Sequence, residues 1–313
     1  MPRSWNMRAV SADSAARGRP MIRQRALSAT IFVPPLLIVL AFGEPWFAAL
    51  IAVFVAVAAW EAVRLVRAAG YPAISALGVA GALAVAADVA ATTQLRAYAD
   101  LLVAAVLVVA AIAAFVEKDT RVGFGAWIGT AFVAAYVGML GALVRLGQIA
   151  PPFAGSAPSG SVDALLLGPV AGSTAVDQLG AERAWILLVI LLVWAFDTGA
   201  YCLGVALGKR KFLVHISPSK SYWGLFGGLV AVTVVAVAGL WQLGQPPLMG
   251  LLLGPLVGAA AQAGDLAESM LKRAAGAKDS GGLIPGHGGM LDRVDSFLFA
   301  APVAAIFVTA LVR

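Results

Sequence analysis

Charge is what this sequence has least of. Asp, Glu, Lys and Arg make up 12% of its 313 residues, and 61% are hydrophobic, whereas soluble domains carry roughly 25% charged residues. With a mean hydropathy of +0.91, a water-soluble globular fold is excluded. There is a single cysteine, Cys202. One thiol rules out an intramolecular disulfide framework and a Cys-rich zinc site, and its apolar surroundings make it a packing residue. Neither a Ser-His-Asp order nor paired cysteines argue for a covalent nucleophile. The net charge of +6 has no solvated basic domain to carry it, so nucleic-acid binding is not its meaning. Loop charge in a membrane protein is.

What is abundant is long apolar runs. Spans of roughly 17–25 residues suit a bilayer, and nine can be drawn: 26–42, 47–63, 73–94, 101–116, 124–144, 184–207, 223–241, 248–270 and 296–312. The expected fold is an all-α polytopic integral membrane protein with about nine transmembrane helices. Residues 1–25, with six arginines, read as a disordered basic cytoplasmic tail. A signal peptide is the rival reading, but Pro34 and Pro35 lie in the next apolar run and many spans follow it. Nine spans alternate the links between two sides. The tail, Arg64, Arg67, Lys118, Arg121, Lys209, Arg210, Lys211, Lys220, Lys272, Arg273, Lys278 and Arg293 then share one side, which makes 18 of the 22 Lys and Arg. Arg96, Arg145, Arg183 and Arg313 fall on the other. By the positive-inside rule the N-terminus is cytoplasmic and the C-terminus outside.

Three regions follow: the tail 1–25, a set of helices with an outer link over 26–183, and a C-terminal catalytic region over 184–313. The link 145–183 contains Pro151 and Pro152 and falls outside. It is expected to be irregular or to form a short surface helix near Ala164–Val170, and it carries no chemistry. The spacing in Gly250-Leu-Leu-Leu-Gly254 suits close helix packing in lipid.

The scarce charges are concentrated. Residues 264–297 hold nine of the 38 formally charged side chains, plus His287. Residues three, four and seven apart share a helix face, so Asp265, Glu268, Ser269 and Lys272 form one stripe with Arg273 beside it. Such a stripe cannot face lipid; it meets protein, water or a metal, or forms a salt-bridge ladder between helices. After Lys278-Asp279 comes the glycine-rich link Gly281 to Gly289, whose backbone amides can approach an anion. Asp292 and Asp295 then stand three apart at a helix start, placed to share a hard cation where a helix N-terminus also attracts phosphate. A second basic link, Lys209 to Ser221, supplies cations and hydroxyls suited to phosphate. Just before it Asp197 lies inside an apolar helix, a functional candidate by position. Acids, a glycine loop and excess cations on one face suit phosphoryl-type transfer on a nucleotide.

At these residues the chain resembles the phosphatidate cytidylyltransferases, or CDP-diacylglycerol synthases. The family signature S-x-x-K-R, four residues, K-D, then P-x-H-G-G-x-x-D-R-x-D stands here as Ser269 to Arg273, Lys278-Asp279, and Pro285-Gly-His287-Gly288-Gly289-Met-Leu-Asp292-Arg293-Val-Asp295. Asp197 with Gly199-Ala200-Tyr201, and Ser217-Pro218-Ser219-Lys220-Ser221, resemble two further family blocks. The resemblance thus covers the chain from about Asp197. One departure is Trp223-Gly224, where the family usually has Glu or Gln before the glycine.

The resemblance implies conversion of CTP and phosphatidate to CDP-diacylglycerol and pyrophosphate by a magnesium-dependent homodimer, with one metal ion or two. The expected location is the plasma membrane, with the active site, by the positive-inside count, facing the cytoplasm. The lipid phosphate would attack the CTP α-phosphorus in line. Asp265 and Asp279 are the first candidates for metal ligands, with Asp197, Asp292 and Asp295 as further ones. Lys272, Arg273, Lys278 and Lys220 would bind phosphate and neutralise the leaving group. Ser217, Ser221, Ser269 and Arg293 would bind substrate, and His287, Gly288 and Gly289 would shape the nucleotide loop. Two other readings are weaker. An ion-coupled transporter places its charges near mid-membrane, whereas nearly all of these lie at inner helix ends. The CDP-alcohol phosphotransferases carry D-G-x-x-A-R and a four-residue Asp spacing, and neither is present.

Overall fold

The computed structural model describes residues 35–91, 96–151, 180–281 and 288–312. Every regular element among them is a helix. Residues 35–42 form α1. It is followed by α2 (Glu44–Ala68), α3 (Ser75–Ala90), α4 (Arg96–Ala114), α5 (Thr120–Gly138) and α6 (Ala142–Ile149). The C-terminal half contains α7 (Ala181–Leu207), α8 (Tyr222–Gln242), α9 (Gly250–Ala274) and α10 (Leu291–Val312). Helices dominate because lipid offers no partner to the backbone, so each apolar segment must satisfy its own amides.

Six stretches are long and apolar enough to cross a membrane: α2, α5 with α6, α7, α8, α9 with the turn before it, and α10. Two shorter apolar helices, Ser75–Ala90 and Tyr98–Ala114, accompany them. These eight coincide with eight of the nine expected spans. Of the first expected span only 35–42 falls among the described residues, and the tail and most of the 145–183 link, including 164–170, lie outside them. The expected span 124–144 is longer than hydropathy suggested, Thr120–Ile149, because a tight turn at Met139–Gly141 joins two helices end to end.

Local chemistry sets the ends. Asp119 caps α5 by accepting from the Arg121 amide at 2.8 Å, and Ser221 caps α8 by accepting from the Gly224 amide at 3.2 Å. Both satisfy amides that a helix start otherwise leaves orphaned. Past α9, Gly276 adopts φ 67°, a left-handed turn after the last helical residues.

The core runs through the whole bundle, with Phe47, Leu140, Trp185, Leu192, Phe196, Leu253 and Leu298 fully buried. The α7–α8 crossing is set by two glycines. A Cβ on Gly199 would lie 2.5 Å from the Gly227 carbonyl oxygen, and one on Gly227 would lie 2.6 Å from that of Gly199. Small residues let backbones approach this closely in lipid.

Helix ends gather into two sets. At one, the close of α2 meets the start of α10 through Glu61 and Leu291, and the link after α7 meets the end of α9 through Arg273 and Ile216. At the other, Gln148 donates to Glu44 at 2.7 Å and Arg145 to the Ala91 carbonyl at 3.1 Å. The first set carries Arg64, Arg67, Lys209 to Lys211, Lys220, Lys272, Arg273 and Arg293.

Candidate active site

Three structural pieces converge at the basic face: the end of α9, the start of α10 and the link between α7 and α8. That link folds back on itself. Phe212 donates to the Lys220 carbonyl and Tyr222 to that of Arg210, each at 3.2 Å, with an antiparallel bridge between Lys211 and Ser221. The Phe212 and Tyr222 rings pack at 5.4 Å. This closure carries Lys220 onto α9, where its ammonium forms an ion pair with Asp265. Asp265 also accepts from the Ser269 hydroxyl at 3.5 Å. Ser217 is buried, with its oxygen 3.4 Å from that of Ser219. Arg273 donates to the Ile216 carbonyl at 3.4 Å and to that of Ala277 at 3.3 Å, pinning the link to the helix end.

Two turns along α9 from Asp265, Lys272 is held between two carboxylates. Its nitrogen lies 2.5 Å from Glu268 Oε2 and 2.6 Å from Asp292 Oδ1. Glu268 is fully buried, so without Lys272 its charge would be stranded in an apolar core. Asp292 is saturated with donors. Its other oxygen, Oδ2, accepts from the Ser280 amide at 2.9 Å, the Ser280 hydroxyl at 2.7 Å and the Gly289 amide at 2.9 Å. Lys278 and Asp279 stand exposed on the turn after α9. His287 lies outside the described residues. Gly288 has φ 77°, which only glycine adopts freely.

Beside these residues opens a cavity of about 510 Å³, within the range of ligand sites. Its walls are apolar, with Phe47, Ile51 and Phe54 from α2, Leu140 and Leu143, and Ile190, Val193 and Trp194 from α7. Its other end is polar, formed by Asp197 and Thr198 of α7 and by Asp292, Arg293, Asp295 and Ser296 of α10. The Asp265 and Asp197 carboxylates are both close enough to Asp295 to act on it electrostatically. Ser296 donates its amide to Asp295 Oδ1 at 2.6 Å.

A family model described as the cytidylyltransferase family matches residues 23–311. The chain belongs to that family. It is similar to proteins named phosphatidate cytidylyltransferase. The one from Synechocystis sp. is 48% identical over 127 residues, 40% of this chain and 43% of that protein. The one from Bacillus subtilis is 44% identical over 129 residues, 41% of this chain and 47% of that protein. The Haemophilus influenzae protein is 44% identical over 128 residues, 39% and 44% of the two chains. The matched stretch spans less than half the length of each relative.

In this cytidylyltransferase-family chain, the structure brings together Asp265, Lys220, Ser269 and Ser217 on one side, and Lys272, Asp292 and Gly289 on the other. Asp197, Arg293 and Asp295 line the cavity beside them. Among the described residues, no three Asp, Glu, His or Cys side chains form a ready metal cage. Magnesium is commonly held by only one or two carboxylates, completed by water and substrate phosphate. The hard oxygen donors Asp265 and Asp295, with Asp197 nearby, fit that requirement.

Two residues escaped the sequence reading. Glu61 of α2 is 3% exposed and Ser280 5%. The Ser280 hydroxyl lies 3.0 Å from Glu61 Oε2, which also accepts the Leu291 amide at 2.8 Å. The available signal was a lone carboxylate within the apolar run Ala-Val-Ala-Ala-Trp-Glu61-Ala-Val.

Proposed function

We propose that the protein transfers the cytidylyl group of CTP to phosphatidate, giving CDP-diacylglycerol and pyrophosphate. The observation that carries this reading is the amphipathic cavity. Its apolar walls meet acids and a guanidinium at the polar end, and one of those acids, Asp292, holds the Lys272 ammonium at 2.6 Å. A lipid phosphate needs both halves at once. Family membership and the names of the relatives support the same chemistry.

The lipid phosphate is already ionised near neutrality, so no general base is required. Its oxygen forms a bond to the CTP α-phosphorus as the bond to the bridging oxygen of pyrophosphate breaks, and that leaving group takes the electron pair. Lys220, Lys272, Arg273 and Lys278 are the cations suited to bind the phosphates and neutralise pyrophosphate as it departs. Arg293, at the polar end of the cavity, is assigned to the lipid phosphate. Ser217, Ser221 and Ser269 contribute hydroxyls, and the amides of Gly288 and Gly289, with His287, shape the nucleotide loop. Magnesium, one ion or two, would be held by Asp265, Asp279 and Asp295, with Asp197 and Asp292 beside them, and would supply charge stabilisation at the phosphates.

The positive-inside bias supports a plasma-membrane enzyme of about nine spans, with N-terminus and active site on the cytoplasmic side and C-terminus outside. The homodimer rests on the sequence resemblance. Purified protein in lipid nanodiscs with labelled CTP, magnesium and a panel of phosphorylated lipids tests the reaction. Formation of CDP-diacylglycerol from phosphatidate is expected. Turnover of another lipid, or none, would overturn the assignment.

A further inference from the structure

The active-site residues singled out by sequence all follow Asp197, yet the link between α9 and α10 is anchored from α2. Glu61 is buried, and its Oε2 takes the Leu291 amide at 2.8 Å and faces the Ser280 hydroxyl at 3.0 Å. The Leu291 amide is one of the donors that a helix start leaves without an intrahelical partner, so Glu61 caps α10 from another helix. Ser280 then reaches Asp292 Oδ2 at 2.7 Å, and Asp292 Oδ1 holds the Lys272 ammonium at 2.6 Å. The described ends of the glycine-rich link lie against the same carboxylate. A Cβ on Gly281 would collide with Glu61 Oε1, and one on Gly289 with both Glu61 oxygens and the Ser280 hydroxyl. A continuous polar chain therefore runs from Glu61 through Ser280 and Asp292 to Lys272, joining α2 to the phosphate-binding end of α9.

We infer that Glu61 is a positioning residue for nucleotide binding. It sets the start of α10 and the Gly288-Gly289 backbone, and through Ser280 and Asp292 it fixes the place of the Lys272 ammonium. The inference rests on the proposed use of CTP, in which Lys272 meets phosphate. The first half of the chain thus contributes to the active site through one carboxylate.

The test uses the full chain in nanodiscs and three variants. Glu61→Leu removes the acceptor and leaves the Leu291 amide unsatisfied, which destabilises the fold, so its kinetics are read per folded protein. Glu61→Gln keeps a carbonyl oxygen able to accept from the Leu291 amide. Ser280→Ala cuts the chain one step later. In Glu61→Leu the KM for CTP is expected to rise about tenfold, more than the KM for phosphatidate, and Glu61→Gln should restore most of the loss. Ser280→Ala should shift the CTP KM in the same direction by less. Hydrogen exchange supplies a readout independent of turnover: the Gly289 and Leu291 amides should lose protection in Glu61→Leu and regain it in Glu61→Gln. An unchanged CTP KM in both Glu61→Leu and Ser280→Ala overturns the inference, as does loss that tracks only the folded fraction. If wild type turns over no phosphatidate, the proposed reaction fails. Glu61 is then judged by amide protection alone, and unchanged protection overturns it.

Discussion

The ammonium of Lys272 lies 2.6 Å from Asp292 Oδ1, tying the last turn of α9 to the first turn of α10. Lys272 also holds the buried Glu268 at 2.5 Å, so one cation neutralises two carboxylates. The salt-bridge ladder and the proposed phosphate site therefore share these atoms.

Lys272→Met is expected to damage both fold and activity. It strands the Glu268 charge in the core, at a cost of about 3–5 kcal/mol, and it removes a proposed phosphate ligand. Thermal unfolding in detergent should show a lowered midpoint. The double variant Lys272→Met with Glu268→Leu should recover much of the midpoint without recovering turnover. Recovery of both together would mean that Lys272 is structural only.

Lys220 and Asp265 behave differently, because each side chain is 24% exposed. Partly solvated pairs contribute about 0–1 kcal/mol, so Lys220→Met should leave the unfolding midpoint nearly unchanged. Its effect should fall on the KM for CTP, raised about tenfold or more. A variant that melts early yet binds CTP normally would contradict this division of labour.

Asp279 stands exposed on the turn after α9. Surface substitutions generally move stability by no more than about 0.5 kcal/mol, so Asp279→Asn should fold as wild type does. Turnover should nevertheless fall below about 1% of wild type. Chelating divalent cations should do the same to the wild type, and added magnesium should restore it. Full activity of Asp279→Asn, or activity without divalent cation, would remove Asp279 and the metal from the mechanism.

The helical architecture was legible because lipid imposes it: apolar runs of sufficient length have no alternative to self-satisfied helices. The candidate site's segment was legible for a related reason, since charges at the ends of such runs stand out against their surroundings. What spacing along one helix could not show was partnership between helices. Asp265 and Lys272 share a stripe, yet Asp265 turns to Lys220 and Lys272 to Asp292. Asp292 has the same carboxyl group as Asp295, but only the folded link reveals that Ser280 and Gly289 saturate it. Glu61 was hidden because its partners are more than 200 positions away, and an isolated acid in an apolar helix does not name its partner.

The geometry of the site also depends on a contact with no polar atom of its own to advertise it. Gly199 and Gly227 face each other where α7 crosses α8. A Cβ on Gly227 would lie 2.6 Å from the Gly199 carbonyl oxygen and 2.7 Å from Leu203 Cβ, so a side chain there must push the helices apart. That crossing sets α7, which carries Asp197 into the cavity, against α8, whose cap Ser221 ends the basic link. Overpacking of this kind costs roughly 1–3 kcal/mol. Gly227→Val is therefore expected to lower the unfolding midpoint in detergent and to reduce kcat in the fraction that remains folded. Gly227→Ala should show the same two effects to a smaller degree. Wild-type stability and turnover in Gly227→Val would show that the crossing has slack and does not place Asp197.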